Sequence, residues 1–201
     1  MIYSSTILTY TVLETSRRGE KPRWGAALPL TLFGLVVFIT VAYLINNEPV
    51  FHQVAYASIQ VASTVQVVML LRAPTKSLVA AARMKEARNL YLTGGLIFLT
   101  AFGIWNLDNI FCAQLRDARN VLRAHGLWFL TPLLQGHGWW HIGTGLGAYQ
   151  IVVSGSLLMM SLKEEPENFE LARNSSIVPG FGFLVPSIRR IRPWKGEGKK
   201  Q

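Results

Sequence analysis

The feature that most constrains this chain is a 37-residue run, Gly126–Leu162, that contains no Asp, Glu, Lys or Arg. As one continuous α-helix the run would be roughly 55 Å long, whereas the hydrocarbon core of a bilayer is about 30 Å thick. The run must therefore break, and Pro132 followed by Gly136 is the predicted place, because proline lacks the backbone donor that a helix interior needs. We predict a spanning helix over His137–Leu162, preceded by an interfacial segment over Leu127–Leu134.

The rest of the sequence has the composition of a membrane protein. Half of its residues are hydrophobic, only 15% are charged and the mean hydropathy is +0.28, whereas soluble domains carry about 25% charged residues. Two further segments, Ala26–Ile45 and Val50–Leu71, have the length of a membrane span. A third, Leu90–Trp105, can start a few residues earlier, because Lys85 and Arg88 can extend towards the membrane surface. Met1–Leu13 is also apolar, but at roughly 20 Å as a helix it is too short to cross alone. We predict an all-α integral membrane protein with about five transmembrane helices.

The distribution of positive charge predicts the orientation of these helices. The net charge is +9, and seventeen of the twenty Lys and Arg residues lie in the segments 17–23, 72–88 and 163–201. The other three lie between residues 106 and 125, which we predict to be a loop on the opposite side of the membrane. Because short cytoplasmic loops are enriched in Lys and Arg, we predict a transmembrane domain over residues 1–162 and a basic cytoplasmic tail over 163–201. Topology accounts for the charge, so no nucleic-acid partner is needed.

The candidate chemistry lies at the start of the last predicted span, in the sequence G-H-G-W-W-H-I-G-T-G-L-G that begins at Gly136. His137 and His141 are four residues apart, so both rings project from one face of a helix, about 6 Å apart. This is the spacing at which one helix donates two nitrogens to a metal ion. Ionisable side chains within a membrane are costly and usually functional, which favours a metal site over histidines that merely pack and bond to carbonyls.

Two familiar kinds of histidine site do not fit this pattern. Gly138 stands where an H-E-x-x-H metalloprotease has its general-base glutamate. A haem with two axial imidazoles needs them on opposite faces of the macrocycle, which two side chains of one helix cannot supply. Two histidines also leave a tetrahedral zinc ion at least one protein ligand short.

A polar cluster, W-N-L-D-N-I-F-C, begins at Trp105, where the preceding predicted span ends. Tryptophan at such a position anchors a helix at the membrane interface, and Asn106, Asp108 and Asn109 are residues that cap a helix end or form a turn. We predict a structural role for this cluster. Cys112 is the only cysteine in the sequence, so no disulfide can form within the chain.

These motifs resemble those of the alkaline ceramidases, of the phytoceramidase and dihydroceramidase type. The resemblance rests on W-N-x-D-N-I-F-C from Trp105, on H-x-W-W-H-I-x-T-G-L-G from His137, and on the opening M-I-Y-S, which is similar to the stretch after the family's Asp-Glu-x-Pro motif. It implies the last five helices of a seven-helix bundle in the endoplasmic reticulum or Golgi membrane. It also implies a zinc-dependent amidase that cleaves ceramide into a sphingoid base and a fatty acid, with His137 and His141 as two of three zinc-binding histidines.

The resemblance further implies residues that the motifs of this sequence do not supply. In the family, a third histidine, a serine and an aspartate of the site precede the methionine that corresponds to Met1. An acidic segment that resembles a calcium site, and the usual disulfide partner of Cys112, precede it as well. We therefore expect a fragment, a splice form or a gene model started at an internal methionine. No catalytic residue is identified in this chain, which we expect to bind zinc weakly and to hydrolyse little ceramide alone.

Two alternatives fit the same residues. One is a pseudoenzyme, a non-catalytic membrane protein that binds sphingolipid or a protein partner. The other is an adiponectin-receptor-like protein with a similar seven-helix zinc architecture, although the W-W-H-I-x-T-G-L-G run argues against it. Under the ceramidase interpretation the partners are a ceramide-type lipid and the bilayer itself.

Overall fold

The chain folds mainly into helices. The computed structural model describes residues 2–16, 19–46, 48–72, 81–173, 182 and 184–192. Its helices are α1 (Ile2–Leu13), α2 (Ala27–Asn46), α3 (Pro49–Leu70), α4 (Ala81–Ile110), α5 (Cys112–Ala124) and α6 (Gly136–Lys163). The other described elements are two 3₁₀ helices, Trp128–Leu134 and Pro166–Asn168, and two paired strands, β1 (Phe169–Ala172) and β2 (Ser187–Arg190). The predicted all-α fold is confirmed, with one short β-ribbon added to it.

Among the described residues, four helices are long and apolar enough to cross a membrane. They are α2, the Gln53–Leu70 part of α3, α4 and α6, and each overlaps a span predicted from the sequence. α4 extends beyond its predicted bounds at both ends, where charged and polar side chains can reach the membrane surface. α1 is a helix of 12 residues, too short to span, as predicted. Four of the roughly five predicted spans therefore meet the length and hydropathy of a membrane helix.

The long uncharged run breaks where the sequence predicts. Pro132 lies within the 3₁₀ helix Trp128–Leu134, and α6 begins at Gly136. Gln135 separates the two with φ −104° and ψ 77°, which is outside the helical region. α6 then continues for 28 residues, so the predicted helix over His137–Leu162 is confirmed, and it is long and apolar enough to span a membrane.

The segment predicted as a loop, residues 106–125, is helical, so that prediction is wrong. α4 continues past residue 106, and α5 occupies most of the remainder. Leu115, Arg119 and Leu122 are the less exposed side chains of α5, and they recur at the spacing of one helix face. The other charged side chains of α5 are exposed. Because the charged residues of α5 outnumber the leucines of this face, its helical pattern was not recognised in the sequence.

The contacts of the chain divide it into two compact units. Unit 1 consists of Met1–Arg88, Ser154–Ala172 and Ile188–Gln201, and unit 2 consists of Asn89–Val153 and Arg173–Ser187. The histidine pair and the segment between α4 and α6 both belong to unit 2.

In unit 1, α1 is held against α3 by polar side chains. Ser5 Oγ donates to Gln60 Oε1 at 3.2 Å, and the hydroxyl oxygens of Thr9 and Ser63 lie 2.5 Å apart. Ser5, Thr9 and Ser63 are buried. Lipid offers no hydrogen-bond partners, so polar groups that pair across helices stabilise this contact although α1 is short.

In the same unit, Glu14 follows the last residue of α1 and binds the segment that comes after the helix. The residue is only 4% exposed, and its Oε1 accepts hydrogen bonds from the backbone N–H of Ser16 at 3.2 Å and of Arg23 at 3.0 Å. The Ser16 hydroxyl also donates to Oε1, and the Trp24 N–H donates to Oε2 at 3.4 Å. The Ser16 hydroxyl and these N–H groups, acting against burial, lower the pKa of Glu14 from its ordinary value of 4.5 to about 2.

In unit 2, the backbones of α4 and α6 touch at glycine residues. A Cβ at Gly147 would lie 2.6 Å from the carbonyl oxygen of Gly94 and 2.8 Å from the amide nitrogen of Phe98. A Cβ at Gly143 would lie 2.6 Å from Cβ of Ala101. Gly143 and Gly147 are thus a small-xxx-small pair, the spacing that lets membrane helices pack at close range.

The described part of the predicted tail is folded rather than free in solvent. In unit 1, Arg189 Nε donates to Glu170 Oε1 at 2.7 Å, and Arg190 pairs with Glu164 at 2.7 Å. The acidic start of the tail therefore neutralises part of its basic end. The cytoplasmic location of residues 163–201 stays a prediction.

The tail also contacts α6 within unit 2. The Tyr149 hydroxyl donates to the carbonyl oxygen of Pro186 at 2.8 Å, and Gln150 Nε2 donates to that of Leu184 at 2.9 Å. Gln150 is near the middle of α6, roughly 20 Å from either end at 1.5 Å per residue. These two side chains give the carbonyls of Leu184 and Pro186 hydrogen-bond partners within the protein.

We expect Gly147→Ala to destabilise the protein by about 1–3 kcal/mol, because the added methyl would force the backbones of α4 and α6 apart. Gly145→Ala is the matched control in the same helix, since a Cβ at Gly145 meets nothing within 4 Å. Thermal unfolding in detergent micelles measures both variants. Equal unfolding midpoints for the two would contradict the close approach.

The lowered pKa of Glu14 predicts a pH dependence of stability. Its native-state value of about 2 lies below the ordinary 4.5, so its stabilising effect is complete above pH 4.5 and is lost as the pH falls towards 2. Glu14→Gln should unfold at a lower temperature than the parent protein at pH 7, and the difference should shrink towards pH 2–3. Glu48→Gln, at an exposed position, is the control, and an equal pH response of both variants would refute the role of Glu14.

Candidate histidine site

His137 and His141 lie in the first two turns of α6, on one face of the helix. Their Nε2 atoms are 3.1 Å apart, and their ring centroids are 4.7 Å apart at an interplanar angle of 78°. Both side chains are exposed. The two rings thus turn the same nitrogen towards a common point, as the four-residue spacing predicts. This geometry suits a hydrogen bond in which one neutral ring donates, and it equally suits two lone pairs directed at one cation.

The donor chemistry of the pair fits two positions of a zinc site. Imidazole nitrogens bind zinc at about 2.0–2.1 Å, so two of them in a tetrahedral set lie about 3.3 Å apart. The observed separation of 3.1 Å is close to this value. Within the part of the chain that the structure describes, no group of three or more His, Cys, Asp or Glu side chains could hold a metal ion. The described residues therefore supply two ligands of such a site.

Asp108 fixes the start of the helix that carries the pair. Its Oδ1 accepts a hydrogen bond from the Gly136 N–H at 3.0 Å. The four N–H groups at the start of an α-helix have no partner within the helix, and a carboxylate there also complements the helix dipole. A Cβ at Gly136 would lie 2.8 Å from Cβ of Asp108, so glycine is what allows this approach. Asp108 caps α6 rather than its own helix, which the sequence did not indicate.

Trp140 packs on α4 through an aromatic cluster. Its ring centroid lies 6.0 Å from that of Phe98, 5.9 Å from Phe102 and 5.8 Å from Trp105. Phe102 and Trp105 also stack on each other at 5.7 Å. Such contacts stabilise by about 0.5–1.5 kcal/mol each beyond area burial. Trp105, predicted as an interfacial anchor, therefore holds the turn between His137 and His141 against α4.

Positions 98, 102 and 105 recur at helical spacing, so the aromatic face of α4 could have been found from the sequence. Asn106, also in the predicted polar cluster, donates from Nδ2 to the Phe102 carbonyl oxygen at 2.7 Å. Cys112 is the exposed first residue of α5 and has a free thiol. Its disulfide with a residue of another segment remains a prediction from the family resemblance.

The fold and this site define a class: a multi-pass helical membrane protein with two converging imidazoles near one end of its last span. The chain belongs to the ceramidase family, since the family model described as Ceramidase matches residues 1–182. This match favours the ceramidase interpretation over an adiponectin-receptor-like protein.

Two curated relatives are similar to the chain. Alkaline ceramidase 3 of Mus musculus is 34% identical over 149 residues, which are 74% of this chain and 50% of the mouse protein. Alkaline ceramidase YPC1 of Saccharomyces cerevisiae is 39% identical over 61 residues, which are 30% of this chain and 18% of the yeast protein. The chain thus spans at most half the length of these relatives.

We expect Asp108→Ala to lower the stability of the protein by about 1 kcal/mol, as loss of a helix N-cap acceptor generally does. Asp108→Asn should retain most of the stability, because the amide oxygen can still accept from the Gly136 N–H. Asp117→Ala, on the exposed surface of α5, is the control for loss of a carboxylate. Chemical unfolding in mixed micelles measures all three, and an Asp108→Ala variant as stable as Asp117→Ala would exclude the cap.

Proposed function

We propose that this protein takes part in the zinc-dependent hydrolysis of the N-acyl amide bond of ceramides, which releases a sphingoid base and a fatty acid. The single observation that carries the proposal is the convergence of His137 Nε2 and His141 Nε2 to 3.1 Å in a chain of the ceramidase family. The names of the mouse and yeast relatives support the same substrate class.

The depth of the pair in α6 suits a membrane lipid as substrate. His137 and His141 follow the first residue of α6 by one and five positions, which is roughly 2–8 Å along the helix axis. The amide of a ceramide lies where its polar headgroup meets its two hydrocarbon chains. A metal site one or two turns inside the end of a span is at the corresponding level of the bilayer.

In this proposal, the described residues of the chain would hold the metal ion. They would not transfer protons to or from the substrate. His137 and His141 would bind zinc, which when present lowers the pKa of a bound water and polarises the amide carbonyl. Trp140 and Asp108 keep the helical turn in place, so that the two imidazoles need little reordering when a cation binds. We assign no catalytic acid, base or nucleophile to this chain, and no residue to calcium.

The membrane setting is also proposed. We infer that the C-terminal end faces the cytoplasm, because positive charge is concentrated in 17–23, 72–88 and 163–201. The histidine pair would then face the lumen or the exterior, since it starts the last span. An endoplasmic reticulum or Golgi location rests on the family resemblance alone.

A non-catalytic, sphingolipid-binding role is the second candidate. It is favoured by the small number of metal-binding side chains, since the described residues bring together two histidines and no group of three or more possible ligands. The two functions differ in whether lipid binding is followed by amide cleavage.

The test is zinc content and ceramide turnover of the purified protein in mixed micelles. We expect His137→Ala and His141→Ala each to lose bound zinc and to lower the small turnover expected of this chain by more than the roughly 10–100-fold that loss of an outer-shell partner costs. His125→Ala is the matched control, because this exposed histidine contacts the Val121 carbonyl and lies outside α6.

The outcomes separate the candidates. Zinc retained by the variant with both His137→Ala and His141→Ala would refute the metal assignment. Saturable ceramide binding by the parent protein without release of a sphingoid base would support the non-catalytic role instead.

A further inference from the structure

The segment between the last two spanning helices has a defined position relative to the membrane. We call residues 111–135 the connector. It starts where α4 ends, at Ile110, and it finishes where α6 begins, at Gly136. Both helices are candidate membrane spans. The segment that joins them does not itself cross the membrane, so the end of α4 and the start of α6 lie at the same membrane surface. The connector therefore lies at a single membrane surface.

The connector is folded, not a loose loop. It contains α5 and the 3₁₀ helix Trp128–Leu134, which pack on each other. Arg119 Nη1 donates to the Leu134 carbonyl oxygen at 2.7 Å, and the Leu127 N–H donates to the Leu122 carbonyl oxygen at 2.8 Å. These contacts form a helical hairpin.

The outer surface of this hairpin is unusually apolar for a segment in water. Trp128 is 68% exposed, Phe129 57% and Leu133 59%, and Trp128 packs edge-on against Phe129. Tryptophan and phenylalanine with this exposure are enriched where a protein enters the boundary between headgroups and acyl chains.

Positive charge accompanies the apolar residues. Arg116, Arg119 and Arg123 recur at three- and four-residue spacing, so they occupy one strip of α5, about 60° wide at 100° per residue. Leu115 and Leu122, next to this strip on the helical wheel, are less exposed than the arginines at 116 and 123. The apolar residues that face outward are those of the 3₁₀ helix, and basic side chains beside exposed aromatic residues are typical of a segment in the membrane interface.

The connector is attached directly to the histidine-bearing end of α6. Trp139 Nε1 donates to the Leu133 carbonyl oxygen at 3.3 Å, and Trp139 lies between His137 and His141 in sequence. This hydrogen bond links the depth of the connector in the leaflet to the depth of the two imidazoles.

We propose that the connector is a membrane-interface anchor whose occupant is the phospholipid leaflet on its side. It inserts Trp128, Phe129 and Leu133 among the upper acyl segments and directs Arg116 and Arg123 towards lipid phosphates. It thereby holds the histidine pair at the level of lipid polar groups, and a lipid reaches the pair by lateral movement within the leaflet. This last consequence rests on the proposed function, whereas the membrane insertion itself does not.

Depth-dependent quenching tests the insertion without any assay of activity. In a Cys112→Ser background, Phe129→Cys and Leu133→Cys carry an environment-sensitive fluorophore, and Asn120→Cys on the exposed polar side of α5 is the control. The protein is reconstituted in vesicles of phosphatidylcholine with phosphatidylserine. We expect labels at 129 and 133 to be quenched by spin-labelled lipid and shielded from aqueous iodide, and the label at 120 to show the reverse.

Two results would overturn the proposal. Iodide quenching at 129 and 133 equal to that at 120 would place the hairpin in water. Protection of both positions from iodide and from spin-labelled lipid would indicate a protein surface as the occupant.

A second measurement tests the consequence for substrate access. The double variant Trp128→Ser, Phe129→Ser should turn over long-chain ceramide in vesicles at least about 10-fold more slowly, while turnover of a short-chain, water-soluble ceramide stays within about twofold of the parent. Equal loss on both substrates would refute a role in access from the leaflet. No turnover by the parent protein would count against the proposed function, and the quenching result would still decide the insertion.

Discussion

The close approach of α4 and α6 at Gly94 and Gly147 is the contact on which unit 2 depends. Between helices in lipid there is little hydrophobic driving force, so association comes from van der Waals contact and hydrogen bonds, both of which need short distances. The glycine contact sets which residues of α4 oppose the start of α6. Given that register, Trp140 meets the aromatic face of α4 and Asp108 meets the Gly136 N–H at 3.0 Å.

The register also explains why two histidines can stay exposed on a helix that is packed elsewhere. At 100° per residue, the mean direction of Gly143 and Gly147 is roughly 120° around α6 from that of His137 and His141, so the packing face and the histidine face are distinct. Gly143 and Gly147 of the G-T-G-L-G run therefore serve helix contact and leave the imidazoles free to face each other. The motif that made the sequence recognisable combines two functions on two faces of one helix.

Several features of this arrangement could be predicted from the sequence, because they depend on local pattern. Pro132 marks the break before α6, and the four-residue spacing places His137 and His141 on one face. The cap from Asp108 to Gly136 joins residues 28 apart in sequence, and the contact of Gln150 with Leu184 joins residues 34 apart. A periodic pattern of residue types along the sequence does not reveal contacts between residues so far apart. The helix α5 was missed for a different reason: its less exposed face has only two leucines, Leu115 and Leu122, which its arginines and asparagine outnumber.

Two groups of polar side chains in α6 differ in a way that bears on function. Thr144, Gln150 and Ser154 are buried, and each donates to a backbone carbonyl: Trp140, Leu184 and Ala87, at 2.6, 2.9 and 2.7 Å. These three donors find partners within the protein, as polar groups in a bilayer require, whereas Gln150 Oε1 and Ser161 Oγ are buried without a hydrogen-bond partner among the described residues. His137 and His141 instead are exposed and turn the same ring nitrogen towards each other. When each neutral ring carries its proton on Nδ1, the two Nε2 lone pairs converge and are not used in packing, which is the property that a metal site requires.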